Sequence, residues 1–290
     1  MFAESNAPRD GEYTLVDVGG YRLAFHCIGE GSPTVILETG LGAPSEDWVP
    51  VQQEIAGLTR VCRFDRAGGG KSDPPPTTTP RTCADMVAEL RALLHNAGIP
   101  APYVLVGNSL GGMNARLYAY LHPEEVVGLV LVDGSHQDQF TRISEALPEP
   151  GPDSPDSHRG FYHFWTGGGW RDPSNNPEYV DFVASREQLR AMHTLGDLPV
   201  VVLASGVFLR EAPTKPEAGA RLHEIWQDLQ RELANLSTDS VYSVVESSGH
   251  FIQRDRPEVV VDAIRRVLES APRRRRVRHK GVRHRPKRER

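Results

Sequence analysis

The sequence predicts an α/β protein: a mostly parallel, eight-stranded sheet with helices on both faces and an inserted helical lid. Three observations carry this expectation. Short runs rich in Val, Ile and Leu alternate with amphipathic stretches along most of the 290 residues, as in a sheet covered on both faces. One run, Tyr103-Val104-Leu105-Val106, breaks into Gly107-Asn108-Ser109-Leu110-Gly111 and then into a helical pattern. The alternation lapses between about Ser135 and Asp197, where Pro, Gly and aromatic residues gather, and then resumes.

Residues 13–18, the turn Gly19-Gly20 and residues 21–27 read as an antiparallel hairpin. Residues 33–38 form the third strand, a helix follows over about 48–57, and residues 60–65 form the fourth strand. The helix over 84–96 has its apolar stripe at Met86, Val87, Leu90, Leu93 and Leu94, with Gly98 as its stop. The Ser109 strand and a helix over 112–122 come next, then the sixth strand at 127–132. Within the irregular region, residues 178–193 read as helical. Regularity returns with a strand at 198–204, a long helix over about 217–236, a last strand at 240–246, and a helix to about 269. That helix opens on Pro257, a residue suited to the first helical turn. The expected organisation is a core in two parts, 1–134 and 198–271, a lid at 135–197, and a tail at 272–290.

Charge is unevenly distributed. Residues 272–290 hold eleven Arg and Lys and one Glu, a net of +10, so the rest of the chain carries −15. A segment so basic and so poor in apolar residues cannot bury a core and is expected to be disordered. Nucleic acid or an anionic surface is its candidate partner; the absence of interleaved aromatics favours a solvated extension instead. No run of 18 apolar residues exists, which excludes a helical membrane span, and residues 1–6 lack a basic-then-apolar signal pattern. The three cysteines, Cys27, Cys62 and Cys83, are odd in number and lack metal-like spacing. That pattern predicts a reducing, cytoplasmic location without disulfides, with Cys27 and Cys62 as small core residues.

The chemistry centres on Ser109. A Gly-x-Ser-x-Gly turn between a buried strand and a helix lifts the serine hydroxyl above the sheet edge, and Gly107 and Gly111 leave room for the turn. A serine hydroxyl needs a base, and the base needs an orienting group. Of eleven histidines, His250 has the right placement, in Ser247-Ser248-Gly249-His250-Phe251 between the last strand and the last helix. Loops of that kind gather at the carboxyl edge of a parallel sheet.

From Tyr13 to Ala271 the chain resembles the α/β-hydrolase superfamily. Thr39-Gly40-Leu41-Gly42 stands where that family often has a His-Gly loop. Asp65-Arg66-Ala67-Gly68-Gly69-Gly70-Lys71-Ser72-Asp73 looks like its Asp-Arg-x-Gly-x-Gly-x-Ser loop. Gly107 to Gly111 looks like its nucleophile elbow, and Gly249-His250-Phe251 before Arg256-Pro257-Glu258 looks like its histidine loop. The resemblance implies Ser109 as nucleophile, His250 as base, and the backbone amides of Leu41 and Leu110 as the oxyanion hole. Thr39 in place of the family's histidine removes a side chain that props this loop.

The acid is read as Asp133, with Glu211 as the alternative. The usual family position, just after the seventh strand, offers only Glu211. Asp133 ends the sixth strand, 24 residues after Ser109, as in some branches of the superfamily. An aspartate closing a buried strand is costly unless paired. Phe161, Phe164, Trp165 and Trp170 are candidates to line an apolar acyl site, against a role in packing the lid. The reading is a serine hydrolase acting on a small-molecule carboxylic ester or related acyl bond, with no metal or organic cofactor. Carbon–carbon, lactone or amide hydrolysis and cofactor-free perhydrolysis are the alternatives within the fold. A non-catalytic ligand-binding relative is the alternative outside enzyme chemistry.

Overall fold

The structure, a computed structural model, describes residues 13–75 and 79–271. The predicted basic tail at 272–290 lies outside the described residues. Eight strands form one sheet: β1 (Thr14–Asp17), β2 (Arg22–Ile28), β3 (Thr34–Glu38), β4 (Val61–Phe64), β5 (Tyr103–Asn108), β6 (Val126–Val132), β7 (Val200–Ser205) and β8 (Ser240–Val245). Their spatial order is β1-β2-β4-β3-β5-β6-β7-β8. The β1–β2 and β2–β4 pairs are antiparallel, and the pairs from β4 through β8 are parallel.

The parallel strands are apolar throughout because both faces are covered, and alternate residues feed two cores. On one face Leu105, Leu129, Leu131 and Val202 pack beneath α2 (Cys83–Asn96), α3 (Leu110–Leu121) and α7 (Pro216–Ala234). On the other, Val104, Val106, Val130 and Val201 pack against α1 (Val49–Ala56) and α9 (Pro257–Ser270). The α2 stripe predicted from spacing is buried at all five positions, and Thr82 and Asp85 close its first turn as a reciprocal capping box.

Residues 135–197 carry α4 (Gln139–Ala146), α5 (Asp156–Thr166) and α6 (Phe182–Arg190), and a short α8 (Ile252–Asp255) precedes α9. The helix expected from 178 begins instead at Phe182. Residues 179–181 are spent on the body: Arg81 N donates to Tyr179 O and Asp181 N to Arg81 O, at 2.9 and 2.8 Å. The insertion's aromatic rings pack around Phe140, with Trp170 stacked on it at 4.4 Å.

The cysteine expectation is corrected. Cys27 on β2 and Cys62 on β4 are directly paired, with Cα atoms 4.1 Å apart, and are joined by a disulfide. They stand 35 residues apart in the chain, and only the antiparallel β2–β4 register sets them opposite. The argument from cysteine count for a reducing, cytoplasmic location loses its basis with them. Cys83 is free and buried, and burial pushes its thiol up to about 12. In denaturant without reductant, thiol titration should therefore find one thiol per chain, rising to three after reduction; three before reduction would refute the bond.

Candidate active site

The loops that follow β3, β4, β5, β6 and β8 meet at one edge of the sheet, because parallel strands point their carboxyl ends the same way. Ser109 lies between β5 and α3 with φ 53° and ψ −119°, a strained conformation for a residue with a side chain. Two glycines permit it. A Cβ on Gly107 would lie 2.3 Å from Gly111 O, and one on Gly111 would lie 2.6 Å from Glu38 O. The turn thus closes on itself and on the end of β3. The Ser109 hydroxyl makes no capping bond to α3; its oxygen lies 3.4 Å from Ser135 Oγ.

Asp133 follows β6 directly, on the strand beside β5. It is fully buried, at φ 46°, and its backbone N donates to Leu203 O at 2.7 Å. Its carboxylate accepts four hydrogen bonds: from Ser205 N and Ser205 Oγ at 2.9 Å each, from Trp226 Nε1 at 2.8 Å, and from His250 Nδ1 at 2.6 Å. Such a set repays the loss of hydration that burial imposes on an anion. Facing a carboxylate, Nδ1 carries the ring proton and Nε2 is left as the basic nitrogen. Phe208 stacks on the imidazole at 4.4 Å, with Trp226 and Phe251 edge-on, so three aromatic rings hold the ring plane.

Asn108, the residue before the serine, ties these loops together. Its Nδ2 donates to Val132 O at 2.9 Å and to His250 O at 3.0 Å, which joins the neighbours of Asp133 and the backbone of His250 to the elbow. Glu211, the other predicted acid candidate, lies exposed on the turn after β7. The residue that contacts the His250–Asp133 pair from that strand is Ser205. Ser205 and Trp226 escaped the sequence reading. The usable signal was a polar residue closing an apolar strand, and a tryptophan on the buried stripe of α7.

Leu110 is the first residue of α3, so its N–H is among those an α-helix cannot satisfy internally. Leu41 follows Gly40, where an added Cβ would lie 3.2 Å from Ser109 Cβ, so this loop sits directly over the elbow. Of the predicted acyl-site aromatics, Trp165 and Trp170 are buried and Phe164 is 44 % exposed. Trp165, Trp170 and Phe164 contact Phe140, and Phe161 contacts Trp165, so all four belong to the insertion's own cluster. Among the described residues, His122, Glu124 and Glu125 could approach one cation, at the end of α3 remote from Ser109. Glu125 there already accepts Arg91 and Tyr118.

Glu38 ends β3 beneath the 39–42 loop. Its carboxylate accepts Asn114 Nδ2 at 2.6 Å and a longer 3.5 Å contact from Arg66. Between the two carboxylates, Arg66 gives its short bonds to Glu178, at 2.6 and 2.7 Å. Burial dominates at Glu38 and pushes it up to about 7, against the pull of Arg66 and Asn114.

Comparison with known proteins shows the fold family. A family model described as alpha/beta hydrolase fold matches residues 33–189. The uncharacterized protein YqjL of Bacillus subtilis is 30% identical over 243 residues, covering 82% of this chain and 85% of its own. Among solved structures, a thermophilic esterase from Thermogutta terrifontis superposes with a TM-score of 0.60 at 20% identity, covering 90% of this chain and 99% of its own. Mouse alpha/beta hydrolase domain-containing protein 10 superposes with a TM-score of 0.64 at 17% identity, with the same coverage.

The Glu38 shift predicts a pH-dependent stability. The folded state keeps this proton up to about pH 7, whereas an ordinary glutamate loses it near 4.5. Between those values the folded state binds more protons than the unfolded, so this contribution is full below 4.5 and declines as pH rises to about 7. Urea unfolding of wild type and Glu38→Gln at pH 4 and pH 8 should show the wild type losing on the order of 3 kcal/mol relative to the variant at the higher pH. A pH-independent difference would show that Glu38 titrates normally.

Proposed function

The chain belongs to the alpha/beta hydrolase fold family, and from that premise we propose that it is a serine hydrolase cleaving carboxylic esters or related acyl bonds through an acyl-enzyme intermediate. The observation that carries the reading is the 2.6 Å bond from His250 Nδ1 to the buried Asp133, tied through Asn108 to the strained elbow that holds Ser109.

In this reading Ser109 Oγ attacks the acyl carbonyl and its proton passes to His250 Nε2. Asp133 stabilises the imidazolium and keeps the ring in the tautomer that accepts at Nε2. The oxygen that gains negative charge is met by the N–H groups of Leu41 and Leu110. Collapse of the tetrahedral adduct expels the alcohol, which takes the proton from His250. Water then attacks the acyl-serine, His250 receives its proton, and a second collapse frees the acid and restores Ser109. The substrate is a small molecule with an acyl carbonyl. A serine at the elbow argues against the alkyl-enzyme ester that an aspartate there would form, as in epoxide hydrolases of this fold. Fold likeness to an esterase is consistent with the proposal and carries less weight than the His250–Asp133 pair.

A fluorophosphonate probe should label the wild type and leave Ser109→Ala unlabelled, with p-nitrophenyl ester turnover lost in the same variant. A folded wild type that neither labels nor turns over any of a chain-length series of these esters would overturn the enzyme reading. For the acid, Asp133→Asn should lower kcat/KM by roughly 10³–10⁴-fold with the fold retained, because the imidazole loses its orienting carboxylate. Glu211→Gln should stay within about 2-fold of wild type, a change of under about 0.5 kcal/mol in the barrier; the reverse pattern would make Glu211 the acid.

A further inference from the structure

We propose that Arg66 and Glu178 are positioning residues for the oxyanion loop: a buried ion pair, half carried by the body and half by the 135–197 insertion, that aims the Leu41 N–H. The inference rests on the preceding reading of Ser109 and Leu41.

The loop Thr39-Gly40-Leu41-Gly42 cannot prop itself. Gly40 is crowded, since a Cβ there would lie 3.1 Å from Asn108 Oδ1 and 3.2 Å from Ser109 Cβ. Gly42 adopts φ +66°. Two glycines in four residues leave a backbone with much conformational freedom to lose.

Arg66 removes that freedom. Its Nη1 donates to Thr39 O and its Nη2 to Gly40 O, each at 2.7 Å. The second bond matters most, because Gly40 C=O and Leu41 N–H belong to one planar peptide unit. In a trans peptide the two groups point in opposite directions. Pinning the carbonyl toward Arg66 therefore aims the Leu41 N–H away from it.

Glu178 completes the clamp. Its Oε2 accepts Arg66 Nε at 2.6 Å, and its Oε1 accepts both Arg66 Nη2 and Gly42 N at 2.7 Å. With the longer Nη1 contact to Glu38, the five guanidinium N–H groups have five acceptors. The Arg66 and Glu178 side chains are 3 % and 4 % exposed, so water does not substitute for either partner. A lysine could not reproduce this planar fork.

The insertion delivers Glu178 as a fixed group. Arg81 Nη2 donates to Glu178 O at 3.3 Å, Arg81 pairs through its backbone with Tyr179 and Asp181, and a Cβ on Gly42 would lie 3.0 Å from Pro177 Cγ. The insertion therefore supplies part of the frame of the oxyanion loop. Thr39 stands where the family often has a propping histidine, and the clamp provides the missing support from outside the loop.

The test uses the full chain with Glu178→Gln and, separately, Arg66→Lys, which keeps the charge and loses the fork. Active-site titration with a fluorophosphonate normalises every rate to folded, competent enzyme. Each variant should lose about 10–100-fold in kcat toward p-nitrophenyl acetate, with KM within about 3-fold, as expected of a misaimed donor. Affinity for an alkyl boronic acid, which forms a tetrahedral serine adduct, should fall by the same factor as kcat/KM; a residue that only supports folding would leave both unchanged per titrated site. Variants that turn over and bind the boronate like wild type would overturn the inference. A wild type that fails to label or turn over would overturn the preceding functional reading instead. Should Glu178→Gln not fold, Arg66→Lys decides by the same two readouts.

Discussion

A fully buried carboxylate, Asp133, with no Lys or Arg side chain against it among the described residues, organises this end of the sheet. Four donors from three separate stretches of chain converge on it: the end of β7, the buried stripe of α7 and the loop after β8. Leaving an anion there without them would cost several kcal/mol. The requirement for donors therefore fixes how these stretches sit relative to β6. The imidazole of His250 is oriented as one member of that set, and stacking on Phe208 holds its plane.

Asp133 and Glu178 are both buried close to this edge, and their environments differ in a way that matches different tasks. Asp133 is met by an amide, a hydroxyl, an indole and an imidazole, so its charge is not neutralised by a permanent cation. It stays available to a histidine that gains a proton. Glu178 is locked to the Arg66 guanidinium in a two-point pair, which fixes geometry and consumes the charge. Glu38 shares the same guanidinium on worse terms. Burial drives Glu38 toward its neutral form, and its longer contact with a guanidinium already paired to Glu178 does not offset that.

Close packing of backbone against backbone links the two sets. Gly107 and Gly111 bring the elbow and the end of β3 to distances that exclude a Cβ, and Gly40 brings the loop above them nearly as close. Asn108 then bonds the segments carrying Asp133 and His250 to the same turn. The elbow is strained, and it persists because each neighbour that could relax it is itself anchored.

Much of this was legible in the chain. Strand and helix periodicity determined an eight-stranded, mostly parallel sheet, because strands covered on both faces must be apolar throughout. The pattern of a strand, Gly-x-Ser-x-Gly and a helix located Ser109, and the order of elements put His250 in a loop at the same edge. Local pattern favoured Asp133, which closes an apolar strand, and kept Glu211 as the alternative, since both follow strands at that edge; burial and partners in space separate them. It could not foresee Ser205, Trp226 or Glu178, whose roles come from neighbours 72, 93 and 112 residues away in the chain. It misread Cys27 and Cys62 because cysteine count carries no register, and the β2–β4 pairing set them opposite. The sequence by itself determined which elements form and which edge carries the chemistry, because periodicity and chain order are local. The tertiary structure decided which polar groups meet there, because a buried charge is satisfied by partners close in space, wherever they lie in the chain.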